Sequence, residues 1–105
     1  MKRYNIHVCY ISWGIGGKKR PAVILSEDDE KGECLILGIT SKYKDKSPQI
    51  QAKRLPIQDW EVAGLNMPSY IHLEIIEMNV KNIDIIPIGK LSERDSKVVS
   101  EIIGE

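Results

Sequence analysis

The sequence predicts a mainly β domain: a small curled β-barrel of the SH3-like kind, with a short internal helix and a C-terminal α-helix. Three observations carry this expectation. The chain contains five or six short runs rich in Ile, Val, Leu and Tyr, and Gly, Pro, Asn and Asp punctuate them at close spacing. Clear helical periodicity is confined to the C-terminal end. Strands alternating with long helical segments would point instead to a parallel α/β sheet. The 105 residues make a single domain, residues 1–105, long enough to bury a core without disulfides or metal.

The first strand is expected within residues 4–13, with Ile6, Val8 and Tyr10 on one side and His7, Cys9, Ile11 and Trp13 on the other. Gly14, Gly16 and Gly17 interrupt it. Pro21 then opens a second run, Ala22 to Leu25, which turns through Glu27-Asp28-Asp29-Glu30-Lys31-Gly32 into a third, Cys34 to Thr40. A basic segment, Ser41 to Gln49, contains a Ser47-Pro48 break, and Ile50 to Leu55 reads as a fourth strand. The internal helix is placed at residues 56–65, with Asp59 and Glu61 near its start, Trp60 anchoring it and Gly64 ending it. Tyr70 to Met78 and Ile83 to Ile88 read as two further strands joined by Asn79 to Asn82. For the last helix, Ser92 is the N-cap with Asp95 three residues on, and Val98, Val99, Ile102 and Ile103 share one face.

A net charge of zero removes any global attraction to nucleic acid, but residues 1–54 are net basic and residues 55–105 net acidic. A basic face for a polyanion is therefore compatible with a neutral chain. Cys9 and Cys34 lack Cys-x-x-Cys spacing and sit among apolar neighbours, so reduced core thiols are expected. With His7 and His72 as the two imidazoles, no zinc cluster is expected, and the sequence carries no phosphate-binding P-loop or dinucleotide fingerprint. Neither a cofactor nor a metal is implied. The N-terminus lacks an apolar signal region and no apolar run is long enough to span a bilayer, so a cytoplasmic protein without membrane association is expected.

The residues that carry chemistry cluster where mobile backbone meets strand. Arg20 stands between a Gly-rich basic turn and Pro21; its planar fork of donors matches phosphate oxygens and can stabilise charge developing on a phosphoryl group. Thr40 ends an apolar strand, and Ser41 follows it into the segment Lys42-Tyr43-Lys44-Asp45-Lys46. The hydroxyls suit a phosphate oxygen, and Lys18, Lys19, Lys42 and Lys44 suit a polyanionic backbone. Tyr43 or Trp13 offers a ring on which an unpaired base can stack. Glu74, among Leu73, Ile75 and Ile76, is either a partly buried proton acceptor or an outward-facing strand residue.

The blocks Lys19-Arg20-Pro21-Ala22-Val23-Ile24-Leu25 and Gly38-Ile39-Thr40-Ser41 resemble those of the PemK/MazF family of toxins from bacterial toxin–antitoxin pairs. Residues Pro56 to Leu65, Pro68-Ser69 and Ile88-Gly89-Lys90-Leu91-Ser92 look like later blocks of one branch of that family, in the same order. The resemblance implies an SH3-like barrel, a homodimer, that cuts single-stranded RNA without a metal and is silenced by a cognate antitoxin. It assigns Arg20 and Thr40 as catalytic, and Lys18, Lys19, Ser41, Lys42, Lys44 and Glu74 are expected to bind RNA. The implied chemistry is attack of a ribose 2′-hydroxyl on the adjacent phosphate, leaving a 2′,3′-cyclic phosphate and a 5′-hydroxyl. A catalytically inactive SH3-like module that binds RNA or protein is the alternative.

Overall fold

A computed structural model describes residues 1–12 and 16–104. Its backbone is one antiparallel sheet of six strands in the order β4-β5-β3-β2-β1-β6. The strands are β1 (Asn5–Ile11), β2 (Lys18–Asp28), β3 (Glu33–Thr40), β4 (Arg54–Pro56), β5 (Tyr70–Asn79) and β6 (Gly89–Lys90). The expected mainly β, antiparallel architecture is present. The ladders do not close into a ring among the described residues, because β4 and β6 stand at opposite edges of the sheet. The candidate stacking residue Trp13 lies outside the described residues.

Strict alternation makes the central strands two-faced. Ile6, Val23, Leu25, Leu37, Ile39 and Ile71 face one apolar cluster, joined by Ile57, Ala63, Leu91 and Val99. Cys9, Ile11, Ala22, Ile24, Cys34, Ile36, Met78 and Ile83 form a second cluster. Both cysteines are buried free thiols, in line with their apolar sequence context. Register shifts between Ile24 and Ser26 and between Leu37 and Ile39 mark where the regular pairing is interrupted.

β2 runs from Lys18 to Asp28, beyond both ends of the expected Ala22–Leu25 strand, because β1 pairs with its basic start as far as Ile11↔Lys18. Its last turn is closed by Asp28 Oδ1, which accepts from the amides of Glu30 and Lys31, and by Gly32 at φ 64°. The expected strand Ile50 to Leu55 is corrected: Ser47 caps and Pro48 opens a four-residue helix α1 (Pro48–Gln51), and β4 starts only at Arg54. A serine before a proline is a helix-start pattern, and it prevails over the apolar Ile50.

The internal helix expected at residues 56–65 is corrected: Pro56 ends β4 and residues 58–64 form consecutive turns. The bond from Ala63 N–H to Asp59 O is helical, but Leu65 N–H reaches Trp60 O and Gly64 adopts φ 88°, which ends the turn as expected. Trp60 packs against the first apolar cluster. Added Cβ atoms on Gly64 and Gly89 would collide with the carbonyls of Ile88 and Ala63, so turn and β6 interlock backbone to backbone.

The expected strand Ile83–Ile88 is reduced to the isolated bridge Cys9↔Ile83 before β6 begins. Asp84 N–H donates to Val8 O and Ile88 N–H to Ile6 O, so the chain spends three residues, Ile85 to Pro87, where β1 spends only His7. The excess bows outward, leaving Ile85 and Ile86 exposed, and Pro87 has no N–H to pair.

Helix α2 (Glu93–Ile103) is capped as expected, with Ser92 Oγ accepting from Asp95 N–H. Val99 is buried, whereas Ile102, expected on the same face, is half exposed. Asp95 also reaches out of its helix: its carboxylate accepts from the amides of Gln58 and Asp59 at 3.0 and 2.8 Å. Asp59 in turn takes the Arg94 guanidinium and the Ser92 hydroxyl, which ties turn 58–64 to α2. No helix among the described residues is long and apolar enough to cross a membrane.

Candidate active site

The sheet face that carries the second apolar cluster changes character at its other end. The β2–β3 ladder ends at Ala22↔Gly38, one residue after Pro21, which has no N–H with which to extend it. Two residues further along each strand, Arg20 and Thr40 fall by alternation on the face shared by Ala22 and Gly38. Thr40 pairs with Tyr70 on β5, and Arg54 on β4 pairs with His72. Alternation therefore presents Arg20, Thr40, His72, Glu74 and Arg54 on one face across four adjacent strands.

Two clefts meet there. The larger, of about 550 Å³, runs past Lys18, Lys19 and Ser41 towards the Leu65–Ser69 turn. The smaller, of about 410 Å³, runs over His72 and Arg54 to Lys46 and Lys53. Arg20, Thr40 and Lys42 line both, so they stand at the junction. Thr40 is buried, and its Oγ1 accepts from Lys42 N–H at 3.2 Å, an arrangement that leaves its own hydrogen for donation into the cleft.

The sequence-predicted residues divide accordingly. Glu74 lines the smaller cleft with its side chain 61% exposed, so it is the outward-facing strand residue, and its Oε2 lies 3.3 Å from His72 Nε2. Lys19 lies 3.4 Å from Asp84 Oδ1, both side chains being exposed, a pairing of little energetic weight. Lys44 does not join either cleft; it lines a neighbouring groove with Tyr43 and Tyr70. The Tyr43 ring stacks on Tyr70 at 4.6 Å and 10°, so one of its faces is already covered.

Two cleft residues were not singled out from sequence, Arg54 and His72. Arg54 Nη1 donates to Lys42 O at 3.2 Å, and burial, with the nearby Arg20 charge, moves its guanidinium below the ordinary arginine range. Burial and then Arg54 push the His72 imidazole down; Glu74 opposes them, and Lys53 adds a smaller push downward. A neutral imidazole follows at neutral pH, donating from Nε2 to Glu74. The local signals were an arginine closing a basic stretch and a histidine two residues before a glutamate on an alternating strand. Neither announces a shared site.

Among the described residues no group of three or more His, Cys, Asp and Glu side chains is placed to hold a metal ion. A comparison with curated proteins finds no match. Among solved structures, the chain shares its fold with the crystal structure of MazE–MazF (Form-III) from Deinococcus radiodurans. The TM-score is 0.64 at 11% identity, covering 99% of this chain and 96% of that one. A family model described as the PemK-like, MazF-like toxin of type II toxin–antitoxin systems matches residues 2–105. A match over that span, on a sheet of the same fold, establishes that the chain belongs to the PemK/MazF-like toxins.

Proposed function

We propose that this chain is an endoribonuclease toxin that cuts single-stranded RNA without a metal. In this reading it acts in the cytoplasm as a homodimer of SH3-like barrels and is neutralised by a cognate antitoxin. The observation that carries the reading is the position of Arg20 and Thr40, which lie on neighbouring strands and both line the junction of two cation-lined clefts.

The 2′-oxygen of a ribose attacks the adjacent phosphorus as the bond from phosphorus to the 5′-oxygen breaks. The 2′-hydroxyl gives up its proton and the departing 5′-oxygen gains one, so the products are a 2′,3′-cyclic phosphate and a 5′-hydroxyl. Arg20 donates to the non-bridging oxygens as negative charge builds on them. The Thr40 hydroxyl, fixed by Lys42 N–H, donates to the same phosphate and holds it in line. Lys18, Lys19, Ser41, Lys42 and Lys44 follow the backbone on either side, and Glu74 accepts from a ribose hydroxyl or base N–H at the rim.

The test is cleavage of single-stranded RNA in chelator by the parent, Arg20→Ala and Thr40→Ala. The parent is expected to leave 5′-hydroxyl ends, and Arg20→Ala to lose about two to three orders of magnitude in rate. Saturable RNA binding with no product from the parent would identify a non-catalytic RNA-binding module instead.

A further inference from the structure

Arg54 takes no part in the proposed phosphoryl transfer, yet the sheet delivers it to the same cleft. Strand order places β4 three positions from β2, a backbone separation of roughly 14 Å at ordinary strand spacing. Arg20 and Arg54 nevertheless line one cleft, over a floor made by Thr40 of β3 and His72 of β5. Both side chains line this cleft, and the Arg20 charge is near enough to act on the Arg54 guanidinium. The Arg54 head is held by the Lys42 carbonyl, the residue whose amide fixes Thr40. Two guanidinium charges lining one partly desolvated trough favour an anion that touches both. Lys42, Lys46 and Lys53 add positive charge at the rim, and Glu74, the acidic group lining this cleft, faces His72.

We infer that Arg54 is a second phosphate-binding residue, closing with Arg20 a two-guanidinium clamp that takes one phosphate of a single-stranded RNA. The inference rests on the endoribonuclease reading for the identity of the polymer alone; the clamp is a binding device and is testable without cleavage. A planar fork from each arginine fixes the phosphate from two directions, which a lysine at either place cannot do.

The experiment measures binding of a single-stranded RNA oligonucleotide carrying 2′-O-methyl ribose throughout, which cannot be cleaved by 2′-attack, to the full chain and to Arg54→Ala and Arg54→Lys. Affinity is followed against salt, with melting curves in inorganic phosphate as a second readout. Arg54→Ala is expected to bind about ten- to a hundredfold more weakly. Its log–log salt slope is expected to be shallower by about 0.7, one phosphate contact on a single strand. Arg54→Lys keeps the charge and the slope but loses several-fold in affinity, and it carries the test should the alanine variant fail to fold. Phosphate raises the melting temperature of the parent more than that of either variant.

Unchanged affinity and slope in both variants would overturn the clamp. So would a parent that binds neither the oligonucleotide nor phosphate, or one whose Arg54-dependent ligand is an acidic peptide and not RNA. A parent that binds in an Arg54-dependent way but leaves cleavable RNA intact would retain the clamp and remove the nuclease reading.

Discussion

His72 is held between opposing influences: burial and the Arg54 and Lys53 charges resist its protonation, while Glu74 favours it, and resistance prevails. Its folded-state pKa lies below the ordinary 6.5, so the unfolded chain takes up this proton first as pH falls. Well above 6.5 both states are neutral and the group contributes no pH dependence. Folded stability therefore declines as pH drops below about 6.5, until the folded-state pKa is passed. Melting curves between pH 7.5 and 5.5 are expected to fall less steeply for His72→Gln than for the parent; identical slopes would refute the assignment. The residues legible from sequence, Arg20 and Thr40, announce themselves through what stands next to them, a proline and a glycine-rich turn for one and a strand end for the other. Arg54 and His72 become site residues only through non-sequential pairing, with β5 inserted between β3 and β4, and no local pattern encodes that order.

Among the elements, the junction between α2 and turn 58–64 depends on one carboxylate. Asp95 is 4% exposed and accepts two backbone amides of the turn, and its own amide is bonded by the Ser92 cap. Asp95→Ala leaves those amides without their acceptor and is expected to cost about 2–3 kcal/mol, a fall in melting temperature of roughly 10 °C or more. A loss below about 0.5 kcal/mol would show that water replaces it without penalty. The neighbouring Asp59 behaves differently with pH. Arg94 first and Ser92 second hold its carboxyl below the ordinary 3.8, so its stabilisation is present above that value and disappears as pH falls through the folded-state pKa. The acid loss at this junction is thus separated from the His72 window. Sequence made the α2 cap legible because Ser92 and Asp95 are close in the chain; the second use of Asp95, across 36 residues to Asp59, was not. The same limit applied to Ile83–Ile88, where a continuous apolar run resembles a strand but carries no alternation to say that it bows away from β1.

Across the whole molecule, neutrality conceals a segregation of charge. Cations of the first half gather on one end of a sheet face whose other end is apolar and closed. That closed end holds Cys9 on β1 and Cys34 on β3, flanking β2, and burial raises both thiols, Cys9 to about 12. Neither is expected to react with iodoacetamide in the native protein at pH 8, and both to react promptly in denaturant. Labelling of the two in concert at the global unfolding rate would follow, since exposing either requires opening the central strands. Fast native labelling of Cys9 alone would contradict the packing. The mainly β architecture was legible at this scale because alternation and turn residues are local signals, whereas openness or closure of the sheet is decided by edges far apart in sequence.

A sheet buried on both faces also constrains how this protein can diverge. Along β2 and β3 consecutive residues belong to opposite apolar clusters, so gaining or losing one residue there would exchange every following side chain between two interiors of different shape. Changes of chain length are tolerable instead between β3 and β4, where residues 41–53 form the outer wall of the smaller cleft and few side chains are buried. Relatives with new ligand preferences are therefore expected to differ by insertions and deletions in that wall while the spacing from Arg20 to Thr40 stays constant.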